Sequence, residues 1–403
     1  QAEDGIRDVE RSRGLGDVYK RQDLQEALFS VSGRDILKLD NNEATIGPSP
    51  LVTRALSRYL SDRTLNQQPD MSARKLRRKI SLYSGVNYDS IACFANMAET
   101  MEAVARTYLD HNLEVVISWP SDDLFGHYAA SAGAKIIKAE YSDPFTPAVE
   151  LIISRINSKT RVVYISNPGN PTGTSLTEAE IVFLLSYAED VLVLVDESYF
   201  EFCGITMADL IPKFPNLAVI RTFSKAFALA GLDVSYILTD SRNLKFINRL
   251  GYLKAPGTLA QVAADAALDD INYTAGYVRQ VNMSKKILFD NLPRMGYEFR
   301  ITAGNFFLLK VNDADKLVET MSKSNIFINN LSRFSGFENY VQVTIGIPSH
   351  THTVLNLLGR LAGEQASRLG RFKSKEKFVG RSVKSKESPK RIRFKNLEKP
   401  VVG

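Results

Sequence analysis

Cysteine is nearly absent: Cys93 and Cys203 are the only two in 403 residues. They stand apart, in no metal or redox spacing, which fits a reducing compartment and leaves them as packing residues. Long apolar runs are missing too. No stretch approaches the roughly 18 to 20 apolar residues that a membrane span needs, and no charged-then-apolar leader opens the chain, so a soluble cytoplasmic protein is expected. Metal-ligand clusters are also lacking. His350-Thr351-His352 has no carboxylate or cysteine beside it and reads as surface, so no metal is expected. No internal repeat or low-complexity block divides the chain.

What is present is enough apolar residue, 44%, to bury a large core, or one large domain with a smaller companion. The net charge of +6 hints at nucleic acid until it is divided along the chain. Residues 364–403 hold 13 Lys or Arg against 4 Glu, and residues 1–22 hold five of each sign. The body between them carries 33 basic and 36 acidic residues and is mildly acidic, so neither nucleic acid nor membrane is an expected partner. The basic tail, 364–403, has no helical apolar stripe and reads as a disordered, solvated extension. An arm for nucleic acid or anionic lipid, or a misassembled end, are its alternatives. The opening 22 residues, QAEDGIRDVERSRGLGDVYKRQ, have no apolar periodicity and resemble translated library-adapter DNA. They are expected to be an assembly artefact outside the fold, with the true N-terminus missing.

Three short β-branched runs, Val162–Ile165, Val191–Val195 and Leu217–Ile220, read as buried strands. Between the first two, Thr177-Glu178-Ala179-Glu180 is a capping box that leads into a helix face of Ile181, Leu184, Leu185 and Tyr187. Strand, helix and strand imply a parallel sheet. Val115–Ile117 and Lys135–Lys138 extend it, with a helix over Ala98–Leu109 before them. Phe306–Leu309 suits a buried strand of the smaller domain, and Trp119 suits the core.

Ligands of such sheets sit beyond the carboxyl ends of the strands. Each of the three strands ends in polar residues there: Asn167–Gly173, Asp196–Tyr199 and Thr222–Lys225. Singly, these read as a tight loop, a helix cap and a basic turn. Their ordered combination is far more specific.

With SNPGNPTG at 166–173, VDESYFEF at 195–202 and RTFSKAFALAGLDVSY at 221–236, the chain resembles fold-type-I pyridoxal-phosphate enzymes. Within them it is most similar to histidinol-phosphate aminotransferases of class I and II. The opening LDNNEATIGPSP at 39–50 and the closing VTIG at 343–346 match as well, and the resemblance runs from about Leu37 to Leu358.

The resemblance implies an α/β fold with a mainly parallel central sheet flanked by helices, and a smaller α+β domain. The expected divisions are an N-terminal segment at 23–45, a large cofactor-binding domain at 46–241 and a small domain at 242–363. It also implies a homodimer whose sites lie at the subunit interface. Amino-group transfer between a small amine or amino acid and a keto acid would be the activity.

By the same resemblance, Lys225 would carry pyridoxal 5'-phosphate as a Schiff base and then shuttle a proton, its amine made accessible by burial. Asp196 would pair with the pyridinium nitrogen. Asn170 and Tyr199 would hydrogen-bond the phenolic oxygen, and Phe125 would stack on the ring. Thr222, Ser224 and the backbone at Met97 and Ala98 would cradle the phosphate at a helix start. Asn42 and Gln342 fall where substrate is contacted.

Several positions depart from the family pattern. The arginine that pairs with the cofactor phosphate is Asp233, a charge reversal. The Gly-Ser-Asp phosphate loop is Met97-Ala98-Glu99, and the tyrosine that reaches a neighbouring subunit is Gln68. The arginine that clamps a substrate α-carboxylate is Gln342, which lacks the bidentate fork. Another basic residue such as Arg333 supplies the clamp, or the substrate has no α-carboxylate, or catalysis is lost. Two rivals to the transferase stay open: a lyase or decarboxylase of the same fold, and a non-catalytic protein that keeps the scaffold for binding or regulation.

Overall fold

The computed structural model of the protein describes residues 36–62, 65–121, 124–249 and 255–369. The opening 22 residues and the tail beyond Leu369 lie outside the described residues. Twelve strands are seen among those described. They are β1 (Leu37–Leu39), β2 (Ile91–Phe94), β3 (Glu114–Trp119), β4 (Lys135–Glu140), β5 (Thr160–Ser166), β6 (Leu192–Asp196), β7 (Leu217–Thr222), β8 (Ser235–Thr239), β9 (Glu298–Ile301), β10 (Phe306–Lys310), β11 (Ile326–Asn330) and β12 (Tyr340–Thr344).

Seven strands form one sheet in the order β2-β8-β7-β6-β5-β3-β4. Only β8 runs against its neighbours; the four pairings from β7 across to β4 are parallel. The capping box at Thr177 and Glu180 is present, with both reciprocal bonds made. It starts the helix Glu178–Tyr187, the crossover from β5 to β6, as a parallel pair requires.

The uninterrupted apolar runs of β5 and β6 follow from burial on both faces. Alternate residues point to opposite sides. Val163, Ile165, Val193 and Val195 enter one core, against Leu76 and Ile80 of the helix Arg74–Ser84 and Ile181 and Leu184 of the crossover helix. Val162, Tyr164, Leu192 and Leu194 enter the other, against Val104 of the helix Met97–Tyr108. Each such side chain contributes roughly 1.5–3 kcal/mol by leaving water.

The second sheet, β1-β11-β12-β10-β9, is antiparallel except where β1 pairs with β11. Its core holds Phe306, Phe307 and Val341, together with Tyr277, Val281 and Leu288 of the helix Ile271–Asn291. Trp119 joins this core too.

Two helices after β8 pack on the first sheet rather than the second. The helix Ser241–Arg249 buries Leu244 and Ile247 there, and the helix Thr258–Asp269 buries Ala260, Ala263 and Ala264. At the other end, the final helix runs from Pro348 to Leu369, six residues into the stretch expected to be tail. A helix whose Val354, Leu355 and Leu358 are anchored in a core continues outward until its own backbone bonds run out.

Candidate active site

Strand register brings the three polar strand ends together. Ser166 of β5 lies opposite Asp196 of β6, and Asp196 opposite Ile220 of β7. The loop after β5 is closed by Asn167. Its backbone N–H donates to the Asp196 carbonyl (2.8 Å), and its side chain bonds both the N–H and the C=O of Leu176. Two further bonds, Gly169 N–H to Thr174 O and Gly173 N–H to Gly169 O, each 2.7 Å, tighten the turn. Gly173 has φ 69°, and a Cβ there would collide with Thr302, so only glycine lets this loop rest on the second sheet.

Asp196 is buried. Its Oδ1 accepts from the backbone and hydroxyl of Ser198 (2.9 and 2.5 Å), and its Oδ2 accepts from the Tyr164 hydroxyl at 3.0 Å. Beneath it, Glu197 and Arg221 turn the other way and form a fully buried ion pair of 2.8 Å. Burial alone would weaken the charge on Arg221, but Glu197 beside it holds the guanidinium protonated. Arg221 also lies 3.7 Å over the Phe200 ring. Nearby, burial pushes the Glu201 carboxyl up to about 7, and Tyr83 donates to it at 3.2 Å. The strand ends therefore stand on a charged but internally paired base.

Lys225 follows β7 by three residues. It is half-buried rather than enclosed, and its Nζ donates to the Asn41 carbonyl at 2.7 Å. Asn42, the next residue, is buried in the left-handed region at φ 55°, which asparagine tolerates better than most side chains. Its Nδ2 donates to the Tyr199 hydroxyl (2.9 Å), its N–H to Thr344 Oγ1 (2.9 Å), and its carbonyl accepts from Asn305 (3.0 Å). Tyr199 is buried against Phe306, ring centroids 5.4 Å apart. Asn170 accepts from Gln342 Nε2 at 2.9 Å, and Gln342 Oε1 accepts from Asn329 at 3.4 Å. Residues of both sheets thus meet in two hydrogen-bonded groups, one joining Asn42 to Tyr199, Thr344 and Asn305 beside the Asn41 carbonyl that Lys225 binds, the other joining Gln342 to Asn170 and Asn329.

A second group gathers at the β2-β8-β7 side. Phe94, Ser235 and Thr222 are in register across the three strands, and the helix Met97–Tyr108 begins three residues after Phe94. Asn96 caps that helix by accepting from Glu99 N–H (2.7 Å), which leaves the first-turn N–H groups of Met97 and Ala98 as the donors at its positive end. Thr222 Oγ1 accepts from Ser224 N–H (3.0 Å), and Ser224 Oγ donates to Asp233 Oδ1 (2.8 Å). Asp233 is exposed, at φ 44°.

Phe125 lies deeper. It is fully enclosed, stacked on Tyr164 with centroids 5.0 Å apart and rings 17° from parallel, inside the apolar core. Gln68 is exposed. Arg333 is exposed as well, its guanidinium 4.9 Å from the Phe334 ring. Among the described residues no group of three or more metal-ligating side chains occurs, and no helix is long and apolar enough to cross a membrane.

Sequence reasoning missed Tyr164 and Ser198 as partners of Asp196, and Thr344, Asn305 and Asn329 as partners of Asn42 and Gln342. Ser198 and Thr344 stand inside quoted motifs, so proximity was a usable signal for them. The other three carry none.

The family model for aminotransferase class I and II matches residues 34–356. The chain is 31% identical over 348 residues to a dihydroxyacetone phosphate transaminase of Campylobacter jejuni, covering 85% of this chain and 94% of that one. It is 32% identical over 342 residues to a histidinol-phosphate aminotransferase of Carboxydothermus hydrogenoformans, covering 83% and 93%. In fold it is similar to the histidinol-phosphate aminotransferase of Sinorhizobium meliloti, solved in complex with pyridoxal-5'-phosphate. The TM-score there is 0.75 at 22% identity, over 85% of this chain and 94% of that one.

Proposed function

The chain belongs to the class I and II aminotransferases, and we propose that Lys225 is the lysine through which this pyridoxal-phosphate-dependent enzyme works. The observation that carries the reading is the convergence of an amine, a buried carboxylate and a phenol at the ends of β6 and β7. Lys225 bonds Asn41, and Asn42 beside it bonds Tyr199, three residues after Asp196.

The donor set fits the cofactor in kind. Asp196, oriented by Tyr164 and Ser198, would hold the ring nitrogen protonated. Tyr199 and Asn170 would hold the phenolic oxygen. Thr222, Ser224 and the N–H groups of Met97 and Ala98 would hold the phosphate, against the opposing carboxylate of Asp233. Phe125, enclosed on Tyr164, would act on the ring nitrogen at one remove, through the Tyr164 hydroxyl that orients Asp196, and not by stacking on the ring as expected. The bound cofactor supplies an aldehyde to receive the amino group and a ring to hold the electrons released at the substrate carbon. Lys225 moves the proton at that carbon.

The named substrates of the two relatives are small phosphorylated compounds, and we extend that class to one of the two substrates of this chain. We place the enzyme in the cytoplasm, where the free thiols of Cys93 and Cys203 suit a reducing compartment. We also expect a homodimer. Leu65 and Met71 are exposed on either side of Gln68, at the segment where the resemblance places a subunit contact. The larger unit would then run through about Asp269, beyond residue 241, because the helices after Ser241 pack on the seven-stranded sheet.

Adding pyridoxal phosphate to the full chain and to Lys225→Ala tests the lysine assignment. A visible absorbance band, distinct from free cofactor and lost in the variant, is expected; identical spectra for the two would remove Lys225 from the role.

A further inference from the structure

We infer that Lys285 is a positioning residue for this site: its ammonium fixes the turn between β9 and β10 against Asn42 and Tyr199. The inference rests on the aminotransferase reading of Lys225 for the task that Asn42 and Tyr199 perform. Lys285 stands on the helix Ile271–Asn291, away from the strand ends, and its Nζ donates to the Ala303 carbonyl at 3.2 Å. Around that carbonyl, residues 302–305 touch the site at three points. Ala303 N–H donates to the Gly173 carbonyl (3.4 Å), which closes the turn onto the loop after β5. Gly304 packs so near Tyr199 that a Cβ there would stand 3.0 Å from its ring. Asn305, fully buried, donates to the Asn42 carbonyl (3.0 Å), and Asn42 holds the Tyr199 hydroxyl (2.9 Å).

An ammonium is a poor choice for packing alone, because burial strips its hydration. Among the described residues no carboxylate acts on Lys285 to offset this. The titratable group that does act on it is the Cys203 thiol, at the end of the helix Phe200–Cys203, which burial raises to about 11. Glu197 and Glu201 bear on that thiol, and neither the turn nor the final helix adds a titratable group that acts on the amine. Burial accordingly brings Lys285 down to about 8. What the charge supplies is a hydrogen bond roughly twice as strong as a neutral donor would make.

Stability and positioning therefore respond to pH with opposite signs. Above pH 8 the folded chain releases this proton, while the unfolded chain keeps it up to the ordinary value of 10.5. Chain stability gains over that interval. The Ala303 carbonyl, over the same interval, loses its charged donor and the turn loosens.

Hydrogen exchange of the cofactor-free full chain, read by mass spectrometry and corrected for the intrinsic pH dependence of exchange, tests this. Protection of residues 302–306 and 41–45 should fall about tenfold between pH 7 and pH 9, while β5 and β6 keep theirs. Lys285→Met should show the loosened turn at both pH values, with a melting temperature at pH 7 equal to or above that of the wild type. Lys285→Arg, whose charge persists, should keep its protection at pH 9. Unchanged protection of 41–45 in Lys285→Met overturns the inference. So does a loss shared by β5 and β6 with a lower melting temperature, which would make Lys285 a packing residue. No cofactor enters these measurements, so a loaded chain without a lysine-dependent band fails the aminotransferase reading and leaves the exchange result to decide Lys285.

Discussion

The seven-stranded sheet gives the site its charges and the five-stranded sheet gives it its dipoles. Asp196 and Lys225 lie at the ends of β6 and β7, where the chain leaves the sheet and serine, tyrosine and backbone partners can surround a charge. Gln342 projects from within β12, where both strand neighbours are fixed by antiparallel register, and Thr344 ends the strand, paired with Phe306. A buried charge needs partners gathered around it, which a loop can supply. A strand interior supplies position instead, and neutral groups tolerate it. The charged and the neutral groups are accordingly housed in different parts of the chain and can be perturbed separately.

Asp196→Asn tests that separation most severely. It keeps the size and the Ser198 contact but removes the negative charge, and turnover should fall on the order of 100-fold or more, read in single-turnover assays. A fall below tenfold would show that the first sheet does not carry the charge on which the reaction depends. Thr344→Val acts on the other sheet. It leaves the Asn42 N–H and Oδ1 without their partner in a buried setting, at about 1–3 kcal/mol, seen as a lower denaturant midpoint. The lysine-dependent band should persist while the half-saturating amine concentration rises; loss of the band would mean that the two sheets are not separable.

Asp233→Asn should tighten cofactor binding, since removing about 1 kcal/mol of repulsion toward a phosphate corresponds to about fivefold. Spectral titration checks it, and unchanged affinity would place Asp233 away from the phosphate. The smallest effect concerns the base of the site. The Glu201 carboxyl is raised from its ordinary value to about 7 by burial. The unfolded chain therefore releases this proton first, and the associated stability, present below about pH 4.5, is lost as pH rises through 7. Glu201→Gln removes that dependence, so the wild-type melting temperature should drop between pH 5 and pH 8 relative to the variant. Parallel curves would assign Glu201 an ordinary titration.

The first sheet was legible in the sequence because its information is local. Each of β5, β6 and β7 is a short apolar run that stops at a polar motif, and the capping box at Thr177 announces the crossover. The pairing of Gln342 with Asn170, 172 residues away, left no such trace, because it depends on how two sheets dock. Phe125 shows a different gap. An aromatic side chain suits a cofactor face and an apolar core equally well, and only packing reveals that its ring lies flat on Tyr164. The end of the fold was misjudged because residues 364–369 lack an apolar stripe, yet the helix already anchored at Val354 and Leu358 carries them along.

The contact between Asn42 and Thr344 spans 302 positions of sequence. Bringing such distant segments together is opposed by the entropy of closing the loop between them, and contacts of this range form late. On the ribosome, Asn42 emerges long before its partner exists. The contact is therefore completed after synthesis has passed β12, and a nascent chain halted before Tyr340 carries Lys225 and Asp196 without the strand that supplies Gln342 and Thr344.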